Sequence, residues 1–512
     1  MSSTSLREGP IAATDLVSSY AEARETHSAV VFLVGERAYK LKKSVDLGFL
    51  DFSSRSKRLA VLHRELALNR RLAPDVYLGI SEVLDVDGRP LDHLLVMRRM
   101  PEQRRLTHLV VSGAEVGGHL TALAHLMATF HSHAGRGPDV DESGTRDALW
   151  GRWQGNLDRA QPFVGTRLEA AEVDAVRRLA QRYLDGRAPL FEDRIRRSAI
   201  VDGHGDLLAE DIFCLSDGPR VLDCLEFDDR LRHLDRIDDM ACLAMDLERL
   251  GAPGAAEGLL AAYAALSSDT APASLVHHYI GYRAFMRAMV ACLPHGRDTR
   301  SSTLPGRLLD LAQRHLEDGR VSLILVGGAP GTGKTTLAGR LAEDLGCAVL
   351  STDLVRKELA GLPPRTHASA AAGCGIYTPA WTDRTYREVL HRAEGLLTMG
   401  RTVVLDGTWG DADLRALAAS LAERTSSDLV QLRCDVPAEV ATHRIVVRDS
   451  VSDADPVIAA GLREAFDDWP GSARVDTRPP VDLVAAQVQH RIQPWRTTRA
   501  TGQTMRPRLP AD

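Results

Sequence analysis

Lysine is scarce in this chain: of 63 basic residues only six are lysines, Lys40, Lys42, Lys43, Lys57, Lys334 and Lys357. Where arginine is otherwise the default cation, a lysine marks a place for a compact, flexible ammonium rather than a planar fork. Three of the six cluster in one expected strand, and a fourth sits in a glycine-rich loop. Long apolar runs are also missing, so no segment is expected to span a bilayer. The opening MSSTSLREGP lacks the apolar stretch of a secretory signal, and a cytoplasmic protein is the expectation. The seven cysteines are odd in number, include no CxxC pair and lie among apolar neighbours, which points to reduced, packed thiols instead of disulfides or zinc ligands. No basic patch dominates a chain of net charge −6 and pI near 6.3, so nucleic acid is not an expected partner. No internal repeat relates one half to the other.

What is present is enough for more than one core. The chain has 512 residues, 44% hydrophobic and 26% charged, and a chain of that length normally divides into domains. SAVVFLVG and RAYKLKK read as strands around a Gly35-Glu36 turn, followed by a helical RSKRLAVLHRELALNRRL and a strand DHLLVMRR. From about 115 to 300 the pattern is mainly helical, interrupted by AIVDGHGD and RVLDCLEF. The polar HGRDTRSSTLPGR then marks a boundary. Beyond it VSLILVGG, CAVLSTD, GRTVVLDGT and SSDLVQLRCD alternate with helical stretches, which predicts a parallel sheet covered on both faces. The expected organisation is an α/β two-domain chain: a first domain over 1–300, a linker over 301–318, a P-loop domain over 319–490 and a mobile tail over 491–512.

The glycine-rich loop carries the strongest signal. Residues 328–335, GAPGTGKT, fit G-x-x-x-x-G-K-[ST] directly after an apolar strand. Gly328, Gly331 and Gly333 let backbone N–H groups, with those of Thr332 and Thr336, curl around phosphates at a helix N-terminus. Lys334 reaches the β and γ phosphates, and the Thr335 hydroxyl is a ligand for Mg²⁺. A guanine-reading N-K-x-D element is missing. The next strand ends in Ser351-Thr352-Asp353, where Asp353 is placed to take the proton of an acceptor hydroxyl and Arg356, one turn on, to hold an anionic group; the alternative for Asp353 is a helix N-cap. Asp406, closing TVVLDGTW, is a strand-tip carboxylate for Mg²⁺. Arg444 and Arg448, at i and i+4, would close over the transferring phosphoryl as a lid. Over about 319 to 470 this set resembles the P-loop small kinases that include polynucleotide 5'-hydroxyl kinases, zeta-toxin-like kinases and gluconate kinases. The resemblance implies Asp353 as general base and Arg356 as acceptor clamp.

The first half offers a second phosphate chemistry. In HGDLLAEDIF, Asp206 precedes Asp211 by the spacing of the kinase loop D-x-x-x-x-N, with Asp in place of Asn, and Asp223 follows at the end of RVLD. Phosphoryl transfer needs an oxygen base near the acceptor and ligands for the magnesium that neutralises the phosphates, and these three carboxylates can supply both. Strand alternation puts Lys40 and Lys42 on one face, with Glu65 as the partner of whichever lysine touches the phosphates; Lys42 matches the kinase pattern slightly better, and both remain candidates. HGDLLAEDIF, LDCLEFDD and DRIDDMACLAMDLE resemble the aminoglycoside phosphotransferase and choline-kinase-like family, over roughly 25 to 295. That resemblance implies a bilobal protein-kinase-like fold, adenine held by backbone near Met97 to Pro101, Asp206 as catalytic base, and Asp211 and Asp223 on magnesium. Two departures stand out: no G-x-G-x-x-G loop precedes the lysine strand, and Asp211 replaces asparagine. A carboxylate offers the harder oxygen donor, so the replacement is compatible with a working metal site.

The whole pattern resembles a fused aminoglycoside-phosphotransferase-like and P-loop ATP-binding protein. The expected activity is transfer of phosphate from Mg-ATP to a hydroxyl of a small molecule. Two alternatives stay open: a non-catalytic nucleotide-sensing first half that regulates the second, and a nucleic-acid 5'-hydroxyl kinase.

Overall fold

The computed structural model describes residues 21–25, 29–45, 51–293, 303–364, 375–447 and 456–492. The chain forms two compact units, and neither is a single run of sequence. One comprises Met1–Gly144 and Arg194–Thr270; the other comprises Thr145–Asp193 and Ala271–Asp512. The units therefore cross the division expected at residue 300.

In the first unit, alternating apolar positions build a five-stranded antiparallel sheet from β1 (Ala21–Glu25), β2 (Ala29–Val34), β3 (Arg37–Lys42), β4 (Tyr77–Leu84) and β5 (Pro90–Arg98), in the order β1-β2-β3-β5-β4. The helix Arg55–Asn69 lies on it. It starts where Ser54 Oγ accepts the Lys57 amide hydrogen. It buries Leu62 and Glu65 toward the sheet, where Leu62 joins Val76, Tyr77 and Leu95 in one apolar cluster. Downstream, two short antiparallel ribbons, β6 (Ile200–Asp202) with β9 (His233–Asp235) and β7 (Ile212–Leu215) with β8 (Gly218–Val221), are set among the helices Gly117–His133, Arg236–Arg249 and Pro253–Ser267. In this unit a sheet-plus-helix portion is thus followed by helices and ribbons.

In the second unit, β10 (Ser322–Gly327), β11 (Ala348–Ser351), β12 (Val403–Asp406), β13 (Asp428–Asp435) and β14 (Ala473–Asp476) form an all-parallel sheet in the order β11-β12-β10-β13-β14. β10 is buried at every position, as a central strand covered on both faces must be. Four further helices belong to this unit: Arg146–Ala160, Ala170–Asp185, Ala273–Cys292 and Leu304–Asp318. The last occupies most of the stretch expected to be linker. It buries Leu308, Leu309, Leu311, Ala312 and Leu316. Its Pro305 sits in the first turn, where a missing N–H costs nothing, so the residue that suggested a loop in fact begins a helix.

Arg187 shows how these helices meet the P-loop sheet's own. It is 1% exposed, and its Nη1 donates to the carbonyls of Gly186 (3.0 Å) and Thr425 (2.5 Å). Those residues cap the C-termini of Ala170–Asp185 and Ala412–Arg424, so one buried cation answers the negative ends of two helices. Burial lowers the Arg187 pKa to about 10. Nearby, Ser274 Oγ donates to the Gly400 carbonyl at 2.7 Å. The six cysteines among the described residues are free, and no helix among those residues is long and apolar enough to cross a membrane. Of the tail expected over 491–512, the first two residues end the helix Val481–Ile492, and the rest lies outside the described residues.

Candidate functional sites

In the first unit the alternation of β3 does set Lys40 and Lys42 on one face, and both reach the buried Glu65. Lys40 Nζ lies 2.7 Å from Glu65 Oε1 and 2.7 Å from Asp223 Oδ1. Lys42 Nζ lies 2.8 Å from Glu65 Oε2 and 2.7 Å from Glu226 Oε1. The two lysines thus divide the work: Lys40 touches the carboxylate expected on the metal, and Lys42 pairs with a glutamate three residues further on. Lys43, just outside the strand, pairs with Glu25.

Burial opposes the charge on Lys40, but Asp223 and Glu65 outweigh it and raise its pKa well above the usual range. Burial also opposes ionisation of Glu65, and there Lys40 and Lys42 hold the carboxyl below its ordinary value. Asp223 is held low chiefly by Lys40. It adopts φ 61°, an uncommon conformation for a residue with a side chain. Its amide donates to Tyr77 Oη at 3.1 Å, and the next amide, of Cys224, donates to Asn69 Oδ1 at 2.8 Å.

Asp211 ends the 3-10 turn Ala209–Asp211, and its carbonyl accepts the Leu222 amide hydrogen at 2.9 Å, so the β7–β8 ribbon brings it beside Asp223. Burial, then Asp223, Glu210 and Asp206, push the Asp211 carboxyl well above the usual range. Such a set of mutually repelling carboxylates fits a divalent cation, whose charge would reverse that shift. A cleft of about 1090 Å³ opens over Lys40, Asp211 and Asp223; Val31, Ala38, Phe213 and Leu222 supply apolar walls, and Met97 to Pro101, the expected adenine-binding stretch, forms part of the lining.

Asp206 lies on the loop between β6 and the turn Ala209–Asp211. What holds that loop is Asp239. Its two oxygens accept the amides of His204 (2.6 Å) and Gly205 (2.9 Å), and Oδ2 also meets His131 Nε2 at 3.2 Å. Burial opposes its ionisation, but His131, His204 and the backbone donors prevail and keep it ionised. Asp246 accepts the Ala209 amide hydrogen at 3.0 Å. Neither aspartate stood out beforehand, although both lie within DRIDDMACLAMDLE.

In the second unit the P-loop joins β10 to the helix Lys334–Leu345. Gly331 and Gly333 take φ 79° and 85°, and a side chain at Gly331 would strike the Ala441 carbonyl. Lys334 opens the helix directly after Gly333. Thr335 Oγ1 donates to Asp406 Oδ2 at 2.9 Å. Asp406 Oδ1 is buried and has no hydrogen-bond partner. Burial raises the Asp406 pKa against the pull of Lys334 and Thr335. A buried carboxylate oxygen left over beside a threonine hydroxyl fits a hard cation such as Mg²⁺.

The parallel register explains the meeting: Asp406 is level with Val326 on one side and Ser351 on the other, so three strand tips converge. Asp353 is in the first turn of Thr352–Leu359, but the N-cap position belongs to Ser351. It is near enough to Asp406 to raise that carboxyl's pKa. Arg356, one turn on, is buried; its Nη1 donates to the Ile376 carbonyl (2.8 Å) and Thr382 Oγ1 (3.2 Å), its guanidinium lies 5.0 Å from the Tyr377 ring centroid, and its Nε is unpartnered.

Arg444 sits differently from the expected lid. Its guanidinium donates to Thr477 Oγ1 (3.1 Å) and the Thr477 carbonyl (2.8 Å), and Thr477 Oγ1 in turn donates to the Thr332 carbonyl (2.5 Å). It thereby braces the flank of the P-loop, where with Gly331, Gly333, Thr336, Val447 and Pro479 it lines a cavity of about 600 Å³. Arg448 lies outside the described residues. Two partners were missed by residue reading: Thr477, and Tyr386, whose hydroxyl accepts the amide hydrogens of Thr408 and Trp409 and so fixes the loop after β12.

Residues 323–465 match the AAA domain family, a span that begins in β10 and includes the P-loop and Asp406. Among solved structures, a choline/ethanolamine kinase family protein from Mesorhizobium loti is 16% identical, covering 60% of this chain and 95% of its own, with a TM-score of 0.38. The Mycobacterium tuberculosis APS kinase CysC in complex with AMPPNP and APS is 20% identical, covering 34% and 98%, with a TM-score of 0.27. Along nearly its full length the chain is 42% identical, over 473 residues, to the Mycobacterium tuberculosis H37Rv protein named "Uncharacterized protein Rv2004c", covering 92% of this chain and 95% of that one. The chain belongs to the family of that protein.

Proposed function

We propose that the protein is an ATP-dependent phosphotransferase with two nucleotide sites, one per unit, that transfers the γ-phosphate of Mg-ATP to a hydroxyl of a small molecule. The observation that supports the reading is the repetition, on two unrelated scaffolds, of one combination: an ammonium placed for phosphate oxygens beside carboxylates suited to a divalent cation, Asp211 crowded by Asp223 in the first unit and the unpartnered Asp406 Oδ1 in the second. In the first unit Lys40 takes the phosphates and Glu65 holds it, Asp211 and Asp223 would hold Mg²⁺, Met97 to Pro101 meets the adenine, and Asp206 accepts the proton of the acceptor hydroxyl. In the second, the P-loop backbone and Lys334 cradle the phosphates, Thr335 and Asp406 would hold Mg²⁺, Asp353 accepts the proton, and Arg356 holds an anionic group of the acceptor. The metal supplies charge neutralisation on the phosphate oxygens. In either site the acceptor oxygen forms a bond to phosphorus as the bond from phosphorus to the β–γ bridging oxygen breaks, and the hydroxyl proton passes to the aspartate. A cytoplasmic protein without a nucleic-acid partner is part of the same proposal.

The test is a screen of hydroxyl-bearing metabolites with γ-labelled ATP on the full chain, repeated with Asp206→Ala and with Lys334→Ala. Label transfer that each substitution reduces supports two working sites. Transfer to no acceptor, or transfer indifferent to both substitutions, overturns the reading.

A further inference from the structure

The first unit's ion pairs form a ladder that a single kinase lysine would not need. Five charges alternate in sign, Asp223, Lys40, Glu65, Lys42 and Glu226, with every neighbouring pair within 2.8 Å. Lys40 and Lys42 are two apart on one strand; Asp223 and Glu226 are three apart on one segment; Glu65 stands between. All four outer groups border the cleft, but a nucleotide and its cation would claim the upper rung, because the Lys40 and Asp223 side chains are the more exposed, at 14% and 52%. The lower rung would stay: the Lys42 side chain is only 1% exposed and already has two carboxylates.

We propose that Lys42 and Glu226 are positioning residues, a second ion pair that keeps the segment carrying Asp223 in place once Asp223 lets go of Lys40 for a divalent cation. This rests on the reading of the cleft as a site for Mg-nucleotide. Asp223 needs such support because its backbone holds the left-handed conformation, which persists only where flanking structure imposes it. On its N-terminal side the Tyr77 hydroxyl and the Asp211 carbonyl supply that. On its C-terminal side the segment is held by Asn69 on the Cys224 amide, by the His204 carbonyl on the Leu225 amide (3.2 Å), by Arg232 Nη1 on the Leu225 carbonyl (2.9 Å), by Arg64 Nε on the Glu226 carbonyl (3.0 Å), and by the Glu226–Lys42 pair, which joins two side chains of opposite charge.

The test uses the full chain carrying Lys334→Ala, which silences the P-loop site, and measures ATP affinity by calorimetry in magnesium and in EDTA. In Glu226→Gln and Lys42→Met the affinity in magnesium falls at least tenfold, the lower end of what losing a supporting contact costs a metal site. The affinity in EDTA changes less than about twofold, so the strengthening by magnesium collapses. Lys42→Arg, whose fork can meet both glutamates, retains most of it. The double variant Lys42→Met/Glu226→Leu removes the rung without leaving a lone buried charge, and it reproduces the collapse while folding. A purely structural pair would lower the melting temperature and weaken both affinities alike, and that result overturns the proposal, as does an unchanged magnesium effect. If the parent Lys334→Ala chain binds no nucleotide, the reading of the cleft fails first and the proposal with it.

Discussion

Lowering the pH should destabilise the second unit through His278. His278, on Ala273–Cys292, is buried, its ring stacked on Tyr183 with centroids 4.6 Å apart, and its Nε2 accepts the indole hydrogen of Trp153 at 3.2 Å. Protonation at Nε2 would break that bond and leave an unpaired cation among aromatic rings. Burial accordingly depresses its pKa from the ordinary 6.5 to about 3. The unfolded chain takes up a proton below 6.5 and the native chain does not, so stability is complete above 6.5 and falls as pH drops toward 3. The slope is about 1.4 kcal/mol per pH unit, which amounts to about 3 kcal/mol at pH 4.5. Other groups titrate in the same range, so the measurement is a comparison. Urea unfolding of the native chain and of His278→Gln, which keeps an acceptor for Trp153 but cannot titrate, is followed by fluorescence at pH 7.5 and 4.5. The variant gains about 3 kcal/mol on the native chain between the two conditions. A gap between the two proteins that does not change with pH refutes the argument.

Asp406→Asn removes a carboxylate whose ionisation burial opposes. It raises the melting temperature of the nucleotide-free protein, and in an Asp223→Ala background it abolishes the dependence of nucleotide affinity on magnesium; calorimetry and thermal unfolding read the two effects. A fragment of residues 319–492 loses Ser274 from Gly400 and Arg187 from Thr425 and exposes the face against which the four outer helices pack. It is expected to be insoluble or to melt non-cooperatively, whereas a fragment that unfolds like the full chain would contradict the unit boundaries.

The P-loop could be read from residues alone because its chemistry is contiguous: the backbone of one short loop makes the cradle, and glycines declare the backbone. That Lys40 and Lys42 share a strand face with Glu65 opposite them was also legible from local patterns, as was Asp223 at the end of its apolar run; which lysine meets phosphate was not, and spacing alone slightly favoured Lys42. What escaped is of another kind. Glu226 and Asp239 look like any acidic residue until the fold sets one against Lys42 and the other under His204 and Gly205. Arg444 was placed by helical spacing, which says that two arginines share a face but not that the face meets Thr477. The helices of 145–193 and 271–318 have legible apolar stripes. A stripe shows that a helix packs, not which sheet receives it, and so the boundary at 300 could not foresee the units that form.

Two separate nucleotide sites, one in each unit, underlie every role proposed for these residues. Titration of the full chain with a non-hydrolysable ATP analogue in magnesium gives the number directly. Two analogues bound per chain, one in Lys334→Ala, one in Asp223→Ala and none in the double variant is the predicted result. A single site in the native chain, or a count that neither substitution changes, would contradict it.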